Sequence, residues 1–391
     1  QIIKTEKTQL STLVHYRKFY YENQTLPNDQ NQDFVVGNIL YNQQLFKNGM
    51  RLQLFYELGN GQEAQREFQY IKVTDGQGVY KWTDYNNDGV QQLDEFEVAE
   101  YADLAQYIRV YTNSVNYLAS NKNKLQVALF VNPSVIISSE NAFLKRWNFN
   151  LSLLSQNSYM KGSKVLVWNP FEKQADQLLR TQNILASALF NSNDKSGWNG
   201  SYRYTDNDNL VNANYSNEAH GQKSHFLNVG YSFSKTFRAD WENTLQNVTN
   251  SSQVYASRNY LLQNWETKPK GTYKLTETLQ TELSGALRQK KRTDGEELLK
   301  TYEISGTLQW EKAKTSVRAN FSFINNDFSG NSFSIVGNQM LEGLKAGKNQ
   351  VWTLYIQQAI NSFIQLNVNY EGRNSGDRTI HIGSMQIRAS F

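Results

Sequence analysis

The feature that most constrains this chain is a period-two alternation that returns in segment after segment. In the last thirteen residues, Thr379 to Phe391, the apolar or small residues Gly383, Met385, Ile387, Ala389 and Phe391 alternate with polar Ser384, Gln386, Arg388 and Ser390. Successive side chains of a strand point to opposite faces, so such a segment builds a wall with one apolar and one polar surface. Met50, Leu52, Leu54, Tyr56 and Leu58 oppose Arg51, Gln53 and Glu57 in the same way. So do Trp147, Phe149, Leu151 and Leu153 against Arg146, Asn148, Asn150 and Ser152, and Tyr302, Ile304, Leu308 and Trp310 against Glu303, Ser305, Gln309 and Glu311. Further cases are Leu279, Leu283 and Leu287, then Val317, Ala319, Phe321 and Phe323, then Ile364, Leu366, Val368 and Tyr370. The count comes to about sixteen strands, an even number of the kind that single-chain bacterial outer-membrane barrels use.

A soluble sandwich alternates too, and the connections decide between them. Short turns at 47–49, 138–142, 193–197, 234–236, 275–277, 312–315 and 361–363 take turns with longer polar stretches at 74–121, 158–179, 206–222, 292–298 and 329–348. Short periplasmic turns and long extracellular loops are the asymmetry of a membrane barrel. The expectation is therefore an all-β transmembrane antiparallel barrel over 1–391, with both termini periplasmic and with 74–121 as a long extracellular insert. The last strand is expected to close against the first, Thr8 to Tyr21, because an open edge in hydrocarbon leaves backbone groups unpaired. Lys47-Asn48-Gly49 between two alternating runs marks a hairpin, while Glu22 to Asp33 reads as a loop.

Composition fits a single closed object. Only 4 Pro occur in 391 residues, no linker-like block divides the chain, and no stretch approaches the ~18 apolar residues of a membrane-spanning helix. Aromatic residues make up 13%, as interfacial girdles require. The 40 basic and 36 acidic residues are scattered, so no basic stripe points to nucleic acid. The absence of Cys rules out a disulfide framework and thiolate chemistry. Gln1 opens no signal peptide, and a chain bound for the outer membrane must have carried one or be the C-terminal part of a longer protein.

The most specific motif is Asp84-Tyr-Asn86-Asn-Asp88-Gly89-Val90-Gln-Gln92-Leu-Asp-Glu95, which fits the calcium-loop pattern at every constrained position. Asp84, Asn86 and Asp88 would supply side-chain oxygens, Val90 a backbone carbonyl, Gln92 the often water-mediated ninth position, and Glu95 a bidentate carboxylate, with Gly89 at the sharp turn. Leu93, Phe96, Val98, Tyr101, Leu104 and Ala105 recur at helical spacing and predict one short exit helix. Val79 to Trp82 before the loop reads as extended, so the motif is a half EF-hand with bound Ca2+ as a structural cofactor. The competing reading is an ion-free Asn/Asp-rich turn.

Gly78-Val-Tyr-Lys-Trp82, the calcium loop and Phe96, together with Leu366-Asn-Val-Asn-Tyr-Glu-Gly-Arg373 and Ile387-Arg-Ala-Ser-Phe391, resemble outer-membrane proteins of the Bacteroidota that carry C-terminal barrels. The resemblance covers roughly a tenth of the chain and implies an outer-membrane location, without fixing a function. In proteins of that kind the barrel often follows a long exported N-terminal region.

Four histidines, His15, His220, His225 and His381, show no metal or nucleophile spacing, and the chain is expected not to be an enzyme, although strand pairing can bring His225 and His381 to distant groups. Inward-facing charges, among them Arg51, Glu57, Arg238, Asp240, Glu242, Glu282, Arg288, Glu303, Arg318, Glu371 and Arg388, could line a pore or lock into a filled core. Three functions are weighed: a structural or accessory subunit of a larger outer-membrane transport, export or assembly complex, a passive porin-like channel, and, with the least in its favour, an outer-membrane enzyme. The partners would be outer-membrane lipids and other outer-membrane or surface proteins, the latter met by exposed Phe96 and Tyr101 of the exit helix.

Overall fold

Almost every strand pairs antiparallel with the strand before it in sequence, as hairpin connections dictate. The structure, a computed structural model, describes residues 2–19, 32–137, 143–162, 167–191, 197–212, 217–376 and 378–389. The expected turn at 138–142, all but Gly197 of that at 193–197, Tyr20 and Tyr21 with most of the loop after them, and Ser390 and Phe391 lie outside the described residues.

The first half of the sheet comprises β1 (Ile3–Lys4), β2 (Thr8–Phe19), β3 (Gln32–Leu45), β4 (Met50–Lys72), β5 (Tyr80–Trp82), β6 (Phe96–Val98), β7 (Tyr107–Val131), β8 (Trp147–Met160), β9 (Gln177–Phe190) and β10 (Gly197–Asn212). The second half comprises β11 (Asn217–Ser232), β12 (Phe237–Ser252), β13 (Tyr260–Lys274), β14 (Leu279–Arg292), β15 (Leu298–Lys312), β16 (Thr315–Ser329), β17 (Gly347–Ala359), β18 (Ile364–Ser375) and β19 (Arg378–Ala389). Two short helices, α1 (Pro133–Ile136) and α2 (Ile335–Leu341), lie in connections. Setting aside the short β1, β5 and β6, sixteen long strands make the wall.

Register carries the alternation across the wall. Leu52 lies opposite Leu129, Leu129 opposite Leu151, and Leu151 opposite Ala186. Further on, Leu283 lies opposite Gly306, Gly306 opposite Phe321, and Phe321 opposite Trp352, while Leu366 lies opposite Ile387. One continuous surface is thus apolar and faces out, with Ile304, Trp241, Met385 and Ile387 all exposed. The opposite surface carries Asp240, Glu242, Lys270, Arg288 and Glu303. This is the inside-out distribution of a wall with hydrocarbon outside and polar groups within.

The connections sort as expected, with different lengths. At the end of the wall that holds the termini lie tight turns such as 46–49, where Phe46, Lys47 and Asn48 all adopt left-handed backbone. At the other end lie the long connections 73–106, 161–176 and 330–346, while 132–146, which carries α1, is a long exception at the end that holds the termini. The expected loop at 206–222 is instead mostly strand, because β10 and β11 stay paired from Gly197↔Ser232 to Asn212↔Asn217. Residues 107–121 of the expected insert likewise belong to β7, which pairs with β4 over most of their length.

The expected ladder between last and first strands is absent among the described residues: β19 pairs with β18 alone, and the sheet is open at one seam. Part of the reason lies in the chain itself. Residues before Thr8 fold back so that Ile3 pairs with Leu10 and Lys4 with Gln9, occupying the base of the β2 edge where β19 would have to dock.

Candidate functional site

The insert 73–106 is built from a small hairpin, not a helix. Tyr80 pairs with Val98, Lys81 with Glu97 and Trp82 with Phe96, and the calcium motif forms the loop between the two strands. This corrects the expected exit helix: Leu93–Glu95 is a single 3-10 turn, Phe96–Val98 is strand, and Ala102–Leu104 is a second 3-10 turn. The alternation Phe96-Glu97-Val98 has a partner strand beside it, and its ladder outweighs the helical spacing of more distant residues. Gly78 permits the crossing beneath, since a Cβ there would stand 2.6 Å from the Ala105 carbonyl oxygen.

Phe96 anchors the insert. Its ring is 2% exposed, stacks on Tyr70 at 4.0 Å between centroids and meets Tyr107 edge-on at 5.0 Å. The expected exposed partner patch is therefore not there: Phe96 is buried against the chain's own strands, and Tyr101 lies under Arg373, whose guanidinium carbon is 4.0 Å from the ring centre. The apolar residues of the insert dock it at home.

Polar contacts spread the docking over three further places. Asp94 accepts from Ser257 Oγ at 3.2 Å, and Arg258 donates to the Phe96 carbonyl at 3.5 Å, both from the β12–β13 connection. Asn338 of α2 donates to Tyr85 Oη at 3.0 Å, and Tyr85 donates to Glu97 at 2.8 Å. Arg373 of β18 donates to Asp103 at 2.7 Å. The insert thus reaches from β4 and β7 to well-separated parts of the wall, which places it across the mouth.

Lys81, itself buried, pairs with Glu100 at 2.9 Å and Glu97 at 3.7 Å. Burial nevertheless pushes the Glu97 carboxyl up from the usual range, with Lys81 opposing. A carboxyl raised on folding binds its proton more tightly in the docked insert, so docking is most stable below about 4.5, the ordinary value, and weakens as pH rises through the folded value. Hydrogen exchange of the insert, corrected for intrinsic rate, is expected to show more protection at pH 5 than at pH 7.5 in the native chain and no such difference in Glu97→Gln. The opposite trend, or a dependence surviving in Glu97→Gln, would refute the assignment.

The six expected metal ligands are only partly assembled. Asp84 accepts from the backbone N–H groups of Asp88 (3.2 Å) and Gly89 (2.9 Å), Asn86 accepts from Asp88 N–H (3.0 Å), and Asp88 accepts from Val90 N–H (2.7 Å) and the Gln92 amide (2.8 Å). Gly89 has the left-handed backbone the sixth position requires, φ +72°. Glu95, however, is buried and turned to Trp82, whose indole N–H donates to it at 2.8 Å, with Tyr85 and Gln92 N–H groups on the same carboxylate. Among the described residues no three His, Cys, Asp or Glu converge as a metal-ligand set.

Below the insert the inward charges meet one another. Arg288 lies 2.7 Å from Glu266 and 2.6 Å from Glu303, Lys270 lies 2.6 Å from Glu242, and Arg238 lies 2.6 Å from Asp240. The helix α2, which sequence reasoning missed, packs Val336, Met340 and Leu341 on inward-facing Tyr260, Leu262 and Leu299. Its signal was present in Ser334, whose hydroxyl accepts from Gly337 N–H at 3.0 Å as an N-cap, and in Val336 and Met340 four residues apart. His225 and His381 lie on the outward surface, against Tyr202 and Tyr370 at 2.8 Å each, away from the interior.

The wall is of the outer-membrane β-barrel class. No protein-family model and no curated protein matches the chain. Among solved structures it is similar to OmpT (in-vitro folded), an outer membrane protein of Vibrio cholerae, over 99% of each chain at 9% identity and TM-score 0.39. It is similar to the ferric-catecholate import receptor Fiu of E. coli K12 over 95% of this chain and 61% of that one, at 11% identity and TM-score 0.41. OccK11 of Pseudomonas aeruginosa aligns over 95% of its own length and 98% of this chain, at 8% identity and TM-score 0.36. Likeness at this distance concerns the fold alone.

The expectation that the chain is not an enzyme is corrected. Its structural neighbours include OmpT, an outer membrane protein of Vibrio cholerae, and such fold likeness gives no ground for excluding catalysis. The scatter of histidines along the sequence gave none either, because pairing sets Tyr202 beside His225 across 23 residues.

Proposed function

We propose that the chain is an integral outer-membrane barrel protein whose mouth is closed by its own insert, and that it serves as a structural or accessory subunit of a larger outer-membrane transport, export or assembly complex. The observation that carries this reading is the insert's attachment to β4 and β7, the β12–β13 connection, α2 and β18. A mouth covered by the chain's own insert favours an accessory role over an open channel. The outward apolar surface takes outer-membrane lipid, and the termini, at the end opposite the insert, lie on the periplasmic side. A passive porin-like channel is the second reading, favoured by inward residues such as Arg51, Gln53 and Gln126 that remain exposed at the opposite end.

Cysteines replacing Asp94 and Ser257 test the closure, since their side chains meet at 3.2 Å. They should crosslink rapidly in the membrane-inserted protein. A pair that stays reduced under oxidant while the wall is folded would contradict it.

Calcium belongs to the same reading. Asp84, Asn86, Asp88, the Val90 carbonyl, Gln92 and Glu95 are the proposed ligands, and the ion would neutralise the loop's carboxylates. Engaging Glu95 would place the cation against the carboxylate that accepts the Trp82 indole N–H, so Ca2+ is expected to shift Trp82 emission. The shift should vanish in Asp88→Ala with Glu95→Ala and in Trp82→Phe. A titration without any spectral change would leave the motif an ion-free turn.

A further inference from the structure

Between the insert and the upper parts of β4, β7 and β10–β12 lies a cavity of about 470 Å³, within the range of small-molecule sites. Its apolar walls are the rings of Phe68, Tyr70, Tyr80, Phe96 and Tyr111. Two guanidinium groups, those of Arg109 and Arg258, also line it. Arg109 lies 5.2 Å from the ring centre of Phe68, 5.7 Å from that of Tyr80 and 5.4 Å from that of Tyr111. Rings hold the cation in place without neutralising it.

The charge balance is the decisive point. Several arginines elsewhere in the interior have carboxylate partners: Arg288 has two, and Arg238 and Arg373 have one each. Among the described residues no carboxylate lies within 4.0 Å of Arg109 or Arg258 as an ion pair. The single acidic residue lining the cavity, Glu218, accepts from Ser252 Oγ at 2.7 Å. His220, also at the wall, has its Nδ1 3.4 Å from Asn250 Oδ1. The cavity therefore presents a net cationic, donor-rich side next to flat aromatic faces.

We propose that this cavity binds a small planar organic anion, a carboxylate carried on a flat unsaturated ring. The ring would lie against the aromatic faces, and the carboxylate would accept from Arg109 and Arg258, a fork geometry that suits its two oxygens. A neutral ring of the same shape would leave the two cations without a partner, and a hydrated inorganic anion would leave the aromatic faces unused.

Coumarin-3-carboxylate, with neutral coumarin as control, is a direct probe by fluorescence anisotropy on the full chain in detergent, against micelles alone. Saturable binding of the carboxylate is expected, with the neutral analogue at least about tenfold weaker, the size of one charge-assisted contact. Arg109→Gln should weaken the carboxylate by a similar factor and leave the neutral analogue unchanged, while Arg258→Gln, which also loses the contact to the Phe96 carbonyl, should weaken the carboxylate more than the neutral analogue. Heat-modifiable migration on gels identifies folded variants, and Arg109→Lys, which keeps the charge, should recover part of the loss. Absence of saturable binding, equal affinity for the neutral ring, or native affinity in the folded glutamine variants would each overturn the assignment. None of these outcomes depends on whether the mouth conducts.

Discussion

Ile304→Arg is expected to destabilise the membrane-inserted protein by about 2–4 kcal/mol, and Gln126→Arg by far less. Ile304 lies near the middle of the fifteen-residue β15, and its side chain is 66% exposed on the outward surface, opposite Gly285 and Phe323. At that depth an arginine has no water to reach and no partner charge, and only snorkelling softens the cost. Gln126, also exposed, belongs to the opposite surface, where it faces the polar interior beside Phe55. Denaturant titration of the protein folded into bilayers measures both. Equal tolerance of the two, or a larger cost at Gln126, would contradict the assignment of the outward surface.

Phe96→Ala is expected to release the insert without unfolding the wall. A buried aromatic ring replaced by a methyl group typically costs about 3–5 kcal/mol, and this ring fills the space between Tyr70 and Tyr107. Otherwise the insert holds to the wall through more exposed ring contacts, such as Tyr80 against Tyr70 and Tyr101 under Arg373, and through polar contacts worth about 1 kcal/mol net each, so losing the buried ring exceeds any one of them. Limited proteolysis should then cut within 73–106 while the heat-modifiable barrel band persists. Val98→Ala, at a position 61% exposed on the same strand, is the matched control and should leave cleavage as it is. Cleavage that does not rise in Phe96→Ala would show that the aromatic cluster is not what holds the insert down.

The wall was legible because its code is local: every alternating run from Met50 to Ala389 named in the sequence falls on the outward surface, and register then had no freedom, since a one-residue slip would turn Leu52 or Phe321 inward. The hairpin at Lys47-Asn48-Gly49 was legible for a different reason than its dipeptide implies. The left-handed residues are Phe46, Lys47 and Asn48, while Gly49 is required because a Cβ there would stand 2.6 Å from Ile136 of α1. What the sequence concealed depends on contacts between distant segments. Phe96 sits at helical spacing from its neighbours, and only the presence of Trp82 beside it makes the segment a strand. Nothing in residues 329–348 alone says that a short apolar helix will find Tyr260 and Leu262 to cover it. The state of the β2 and β19 edges is likewise invisible to alternation, which describes faces and not neighbours.

Closure of the mouth by the insert is tested most directly by single-channel recording in planar bilayers. The intact chain should give no sustained open level, and a chain with residues 74–105 replaced by a short Gly-Ser linker should give stable conductance steps. Steps of similar size from the intact chain, or silence from a folded, insert-free chain, would contradict it.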